Sequence, residues 1–205
     1  MKLYYAPGSC SLAPHIVLRE AHLKAELVRV QFGPQKTTED GRDYLTINPK
    51  GSVPALELQH GEVLTENQVI LQYLASLTTS AALAPQGGMK HWRFLETLNF
   101  IATELHKGFS PLFNPKITPE WRDGVIEKLG RAFDGFARML GDQTYILGET
   151  FTVADAYAFA VLRWHEKHKV SLANWPQITA YLKRVAARPA VQDALEFEGL
   201  LKVAA

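Results

Sequence analysis

Strand-like runs are confined to the first third of this chain, and helical periodicity takes over after it. That switch excludes a single sheet or a single bundle and requires two differently built domains. Lys2–Tyr5 is a short β-prone run stopped by the breaker pair Pro7-Gly8. Residues 12–21 carry apolar positions on neighbouring helical rows, and Glu26–Phe32 reads as a second strand closed by Gly33-Pro34. Asn48-Pro49-Lys50-Gly51 is a turn. The runs 53–58 and 62–64, split by His60-Gly61, read as a hairpin. A helix over 66–77 follows, with Val69, Ile70, Tyr73, Leu74 and Leu77 on one face. A parallel crossover followed by a hairpin predicts a mixed, four-stranded sheet.

Residues 79–88 gather small side chains with Pro85, Gly87 and Gly88, and read as a linker. Beyond it, Trp92, Leu95, Leu98, Ala102, Leu105, Phe109 and Leu112 recur at spacings of three and four, the pattern of one long helix. Leu129, Phe133, Phe136 and Leu140 mark another. Thr152 and Asp155 form a capping-box pattern ahead of a stretch, 156–162, that is apolar all round and so buried. Arg188-Pro189 ends one late helix and starts the next. The expected organisation is an α/β domain over 1–78, a linker over 79–88 and an all-α domain over 89–205.

Charge and cysteine content bound the function. Lysine and arginine number 22 against 21 acidic residues, a net charge of +1, which lacks the basic footprint of a nucleic-acid binder. No apolar run approaches the roughly 20 residues that span a bilayer. The run after Lys2 stops at Pro7, short of a signal peptide, so a cytoplasmic location is expected. One cysteine, Cys10, excludes an internal disulfide framework and a cysteine-rich zinc site, and no metal is expected.

Pro14 locates that cysteine. Proline is tolerated in the first helical turn, where its missing N–H has no partner, so the helix begins just before Pro14 and Cys10 lies at or ahead of its start. Unpaired helix-start amides and the helix dipole both favour a thiolate there. A buried, inert cysteine is the alternative; the small polar neighbours Ser9 and Ser11 favour the reactive one. On the long helix Asn99, Thr103 and His106 share a polar face beside the apolar row, with Glu104 and Lys107 at its border. Spacing alone reads this stripe as a solvated face.

Four segments in order resemble the bacterial beta-class glutathione S-transferases: residues 4–12 (Tyr4 to Leu12, with Cys10), 48–56 (with Val53-Pro54), 64–66 (Leu64-Thr65-Glu66) and 104–109 (Glu104-Leu105-His106-Lys107-Gly108-Phe109). Residues 151–156 and 188–192 fit as well. The resemblance implies a thioredoxin-like N-terminal domain that binds glutathione, an all-helical C-terminal domain that forms the acceptor-substrate site and part of the interface, and a homodimer. It implies that Cys10 lies beside the glutathione sulfur and forms mixed disulfides with it, with Ser11 as the second choice of sulfur donor. Tyr5, the other hydroxyl near the N-terminus, faces packing along the first strand. Val53, before a cis Pro54, would pair its backbone with the cysteinyl part. Glu66 and Asn67 would hold the γ-glutamyl end and Lys36 the glycine carboxylate. Asn99, Thr103, Glu104, Leu105 and His106 would form the second-domain wall, with His106 as polar neighbour of the sulfur.

This chain departs from the family pattern in two places. Asn67 stands where relatives commonly have serine or glycine, and the 33–38 loop is about one residue longer. The implied reaction is addition of the glutathione thiolate to small hydrophobic electrophiles, with thiol-disulfide exchange through Cys10 as a second mode. A non-catalytic binding protein on the same fold and a glutathione-dependent reductive dehalogenase are the alternatives.

Overall fold

The computed structural model describes residues 1–78 and 83–201. The first part of the expected linker, 79–82, lies outside the described residues. The chain divides into two compact units, residues 1–80 with 188–205 and residues 81–187.

The first unit runs β1 (Lys2–Tyr5), α1 (Leu12–Glu20), β2 (Glu26–Phe32), β3 (Lys36–Thr38), a 3₁₀ turn (Tyr44–Thr46), β4 (Ala55–Glu57), a second 3₁₀ turn (Gln59–Gly61), β5 (Val63–Thr65) and α2 (Asn67–Ser76). The strand order is β3-β2-β1-β4-β5, with β1 and β2 parallel and every other pair antiparallel. Five strands stand where four were expected. The additional one, β3, has no apolar alternation to announce it. It exists because the Gly33–Gln35 turn folds the chain back onto β2, pairing Val30 with Thr38 and Phe32 with Lys36. Alternation along the strands sends Tyr4, Val28, Val30 and Ala55 to one face, where they pack with Tyr44. Leu3 and Leu56, opposite each other across β1 and β4, point to the other face and are fully buried. Helices α1 and α2 pack on each other through buried apolar rows that include Leu12, Ile16, Ile70 and Leu74.

The second unit is helical: α3 (Gly88–Phe100), a π-helical stretch (Ile101–His106), α4 (Lys107–Phe109), a 3₁₀ turn (Ser110–Phe113), α5 (Pro119–Leu140), α6 (Val153–Leu162), α7 (Trp164–Lys167) and α8 (Pro176–Ala186). The long helix read from the 92–112 periodicity is thus continuous but changes its winding in the middle. In α5 the buried row Val125, Leu129, Phe133, Phe136 and Leu140 follows the helical repeat. Every residue of α6 is buried, as the all-apolar run 156–162 predicts for most of its length. Asp155 organises its start: Oδ2 accepts the Thr152 amide and hydroxyl at 2.8 and 2.9 Å, while Oδ1 accepts the Ile146 amide at 2.9 Å and the Tyr181 hydroxyl at 3.0 Å. Burial raises the Asp155 pKa above the ordinary carboxylate value, against those four hydrogen bonds, and burial together with the Asp155 charge holds the Tyr181 phenol well above its own.

The last helix, α9 (Pro189–Phe197), belongs with the first unit, whereas the sequence reading ran the helical domain to residue 205. It packs on α1. Arg188 grips Glu20 through two contacts of 2.6 and 2.9 Å, a bidentate pair that fixes where the helix starts. At its other end Glu198 is buried, with Oε1 2.9 Å from His15 Nδ1 and Oε2 accepting the Gly8 amide at 2.8 Å; neither side chain has any exposed surface. Among the described residues no helix is long and apolar enough to cross a membrane.

Candidate active site

Cys10 sits in the turn between β1 and α1. Ser11 fastens that turn from inside: its hydroxyl accepts the Ala6 amide at 3.1 Å and lies 2.7 Å from Ser9 Oγ and 3.3 Å from the Ala6 carbonyl. The side chain is fully buried. An enclosed hydroxyl with these three partners holds the turn. The helix-start amides are also taken: Ser11 N–H bonds Ser9 Oγ at 3.2 Å, Leu12 N–H the Ser9 carbonyl at 3.1 Å and Ala13 N–H the Cys10 carbonyl at 3.1 Å. Of the two expected influences on the thiol, the α1 dipole remains. Cys10 is 7% exposed, and its thiol donates to the Val53 carbonyl at 3.3 Å. Gly8, two residues earlier, takes up a φ of +70° and is the amide that Glu198 holds. Tyr5 is buried, and that burial, reinforced by the Glu198 charge, raises its phenol pKa, which keeps the ring protonated and in packing.

Val53 reaches Cys10 because the turn before it is rigid. Asn48, almost fully buried, donates from Nδ2 to the Ser52 carbonyl at 2.7 Å and accepts the Lys50 amide at 3.1 Å, while Tyr44 donates to the same Ser52 carbonyl at 2.8 Å. The Val53-Pro54 peptide is cis, as the resemblance implied. Lys36, on β3, stretches to the Gly51 carbonyl at 2.8 Å and lies over the Phe32 ring at 5.3 Å. A Cβ on Gly51, whose φ is +61°, would come within 2.9 Å of the Lys36 ammonium, so glycine is needed there.

On the other side of the same turn, Lys50 bonds Thr65 Oγ1 at 3.0 Å and Glu66 Oε1 at 2.8 Å. Glu66 caps α2 with a φ of +69°, a conformation rare outside glycine and a mark of functional sites. Asn67 follows at the first helical position. It is 6% exposed, and among the described residues neither its amide nitrogen nor its amide oxygen has a hydrogen-bond partner. A buried, unpaired amide costs about 1–3 kcal/mol, a cost that a bound polar group at this helix start would remove. The first unit therefore brings Cys10, Lys36, Val53, Pro54, Glu66 and Asn67 onto connected turns.

The second unit holds the remaining expected residues. Asn99 and Thr103 are exposed, and each bonds back along its own helix, to the carbonyls of Leu95 at 3.1 Å and Asn99 at 3.0 Å. Glu104 is half-buried. Leu105 is wholly buried, and its side chain packs the core. His106 closes the π-helical stretch. Its Nδ1 lies 2.7 Å from the Tyr157 hydroxyl, and its ring stands edge-on to Tyr157 and Trp164 at 5.8 and 5.1 Å between centroids.

Two family models match this chain: the N-terminal domain of glutathione S-transferase over residues 1–76 and the C-terminal domain over residues 100–189. The chain belongs to the glutathione S-transferase family. It is 47% identical to glutathione S-transferase GstA of Escherichia coli O157:H7, an alignment that covers 98% of this chain and all of that one. Its fold matches that of a sphingomonad glutathione S-transferase solved with glutathione, at 41% identity and a TM-score of 0.92 over 98% of this chain and 100% of the other. A bacterial beta-class glutathione S-transferase from Sphingomonas chungbukensis matches at 40% identity and 0.92, with the same coverage.

Three residues that contact the expected ones escaped the sequence reading. Lys50, a partner of Glu66, lies in a turn motif. Tyr157 is hidden inside an all-apolar stretch, where an aromatic residue reads as core. Glu198 follows the last helix and pairs across 183 positions with His15, a contact without any local signal.

Proposed function

We propose that this glutathione S-transferase binds glutathione on the turns of its first unit and adds the thiolate to small hydrophobic electrophiles. The observation that carries the reading is Asn67, a buried amide at the start of α2 without a partner among the described residues, beside the strained Glu66. Glutathione offers what that corner lacks. Its γ-glutamyl carboxylate fits the Asn67 amide and the helix-start N–H groups, and its ammonium fits Glu66. The Val53 backbone pairs with the cysteinyl part, and Lys36 turns from the Gly51 carbonyl to the glycine carboxylate. That arrangement sets the sulfur beside Cys10. His106 supplies a polar neighbour to the sulfur, and Asn99, Thr103 and Glu104 contribute further polar contacts from the helical domain.

The chemistry is nucleophilic addition. The thiolate forms the new C–S bond, and a halide leaves or a conjugated alkene takes up a proton. Holding both reactants in one geometry supplies much of the rate. In the second mode the Cys10 thiolate attacks a disulfide of glutathione, forms a Cys10–glutathione disulfide and releases the other thiol. A second glutathione thiolate then restores Cys10 and leaves as oxidised glutathione. The protein acts as a cytoplasmic homodimer.

Thermal unfolding with and without glutathione tests the reading, alongside conjugation of an aromatic halide and reduction of a glutathione mixed disulfide. Binding at a hundredfold excess over Kd stabilises the fold by about 2.7 kcal/mol. No protection by millimolar glutathione would turn the assignment to a binding protein for another ligand. Cys10→Ala is expected to abolish disulfide reduction; survival of both activities would remove Cys10 from the mechanism.

A further inference from the structure

A cavity of about 330 Å³ opens beside Lys36, between residues 34–37 on one side and Gly41, Asp43 and Leu45 on the other. Backbone bonds pin its walls. Lys36 pairs with Phe32 of β2, Thr37 bridges Asp43, and the Thr38 amide bonds the Arg42 carbonyl at 3.0 Å. One wall is the 33–38 loop, in which this chain departs from the family pattern by about one residue. The cavity adjoins the proposed glutathione site. Lys36 Nζ reaches the Gly51 carbonyl at 2.8 Å, and Leu45 closes on the same glycine, where a Cβ would meet Leu45 Cδ2 at 3.0 Å. Gly51 stands two residues before Val53, whose carbonyl accepts the Cys10 thiol.

One carboxylate does not need that much room. The volume falls in the range of small-molecule pockets, about 300–1,000 Å³. Its lining offers two kinds of chemistry. Pro34 and Leu45 present apolar surface, and Leu45 is 47% exposed. Asp43 presents a carboxylate whose Oδ1 accepts the Leu45 amide at 2.9 Å, which holds the side chain in place. A carboxylate has about four lone-pair sites, so a single amide leaves it able to take a cation as well. We infer that this protein accepts glutathione extended at its glycine carboxyl, as an amide with a short diamine. The inference rests on the glutathione reading above, in which the cysteinyl part pairs with Val53 and the glycine end stops at Lys36, where the cavity begins. Lys36 then donates to the amide carbonyl in place of the carboxylate, the methylenes lie on Pro34 and Leu45, and the terminal ammonium meets Asp43. An extension by a further amino acid would instead bring a second carboxylate to Asp43, like charge against like.

The test is conjugation of an aromatic halide with three thiols: glutathione, its monoamide with 1,4-diaminobutane, and its butylamide, which has the same chain without the ammonium. The diamine amide is expected to show a kcat/KM about 2- to 5-fold above the butylamide, the size of one exposed ion pair. Raising the salt from about 0.05 M to about 0.5 M should shrink that ratio, because screening weakens an exposed pair. Asp43→Asn removes the charge and keeps an acceptor for the Leu45 amide, since asparagine caps a turn as aspartate does. In that variant the two amides should become equal.

Equal rates for the two amides in the unsubstituted protein would overturn the inference, as would a difference that survives Asp43→Asn. Turnover of glutathione with neither amide accepted would overturn it too, and would leave the glutathione reading standing. Failure of glutathione itself, as substrate and as ligand, would remove that reading and this inference with it.

Discussion

Glu198 is a place where this fold is exposed to a single substitution. Its carboxylate serves two partners, the Gly8 amide at 2.8 Å and His15 Nδ1 at 2.9 Å, inside a region where neither side chain meets solvent. Glu198→Ala strands both. Each buried polar group left unsatisfied costs about 1–3 kcal/mol, and loss of one member of a buried pair about 3–5 kcal/mol. The two routes agree on about 3–5 kcal/mol, a large share of the roughly 5–15 kcal/mol that holds a domain together. Glu198→Gln retains an acceptor for Gly8 and a polar group opposite His15, so it is expected to lose about 1–2 kcal/mol, the difference between charge-assisted and neutral bonds. Urea unfolding measures both, as a shift in midpoint at constant slope. Because Gly8 lies in the turn that carries Cys10, the alanine variant should also show a raised KM for glutathione. A loss below 1 kcal/mol in Glu198→Ala would refute the bookkeeping. Equal losses in the two variants would place the stabilisation in the charge and not in the hydrogen bonds.

Other expectations follow from single contacts. Asn67→Ala removes an unpaired buried amide, so the ligand-free protein should gain up to about 1–3 kcal/mol in stability while glutathione affinity falls; isothermal titration and urea midpoints report the two separately. Asp155→Ala leaves the Thr152 and Ile146 amides and the Tyr181 hydroxyl without their acceptor. Its cost should reach about 3–5 kcal/mol, read as a fall in the unfolding midpoint with no change in KM for glutathione. Burial, reinforced by Lys167 and Arg122, holds the His168 pKa below its ordinary 6.5. The folded state thus prefers the neutral ring, and the stability this gives is present above pH 6.5 and lost as the pH falls through the depressed value. Urea midpoints at pH 7.5 and 5 should separate less in His168→Gln than in the unsubstituted protein.

Much of the first unit could be read residue by residue. Pro7-Gly8 had to end β1 and Pro14 had to sit in a first turn, which together placed Cys10 between strand and helix. The hairpin at His60-Gly61 and the start of α6 at Thr152 and Asp155 announced themselves through turn and capping chemistry. The strand β3 did not, because three polar residues at a sheet edge are held by backbone pairing that leaves no mark on side-chain pattern. Nor did the π-helical stretch, since 101–106 keep the apolar spacing of an α-helix while their hydrogen bonds shift. Long-range pairs were illegible for a different reason: nothing near Glu198 or His15 in the chain refers to the other. Burial is legible only in the fold as well: Ser11 and Leu105 lie in motifs whose spacing does not say that both side chains are fully enclosed.

The return of α9 to α1 has a consequence for how the protein is made. The unit that carries Cys10 is discontinuous along the chain: its sheet is translated at the outset, but the helix that supplies Arg188 and Glu198 arrives after the whole of the second unit. During vectorial synthesis the contacts of Glu198 with His15 and the Gly8 amide form only after the helices of the second unit have been made. Emergence of α9, not emergence of the first 80 residues, is then the event that adds the Glu198 contacts to the Cys10 turn. Exchanging modules between relatives would have to move the first unit's sheet and α9 together.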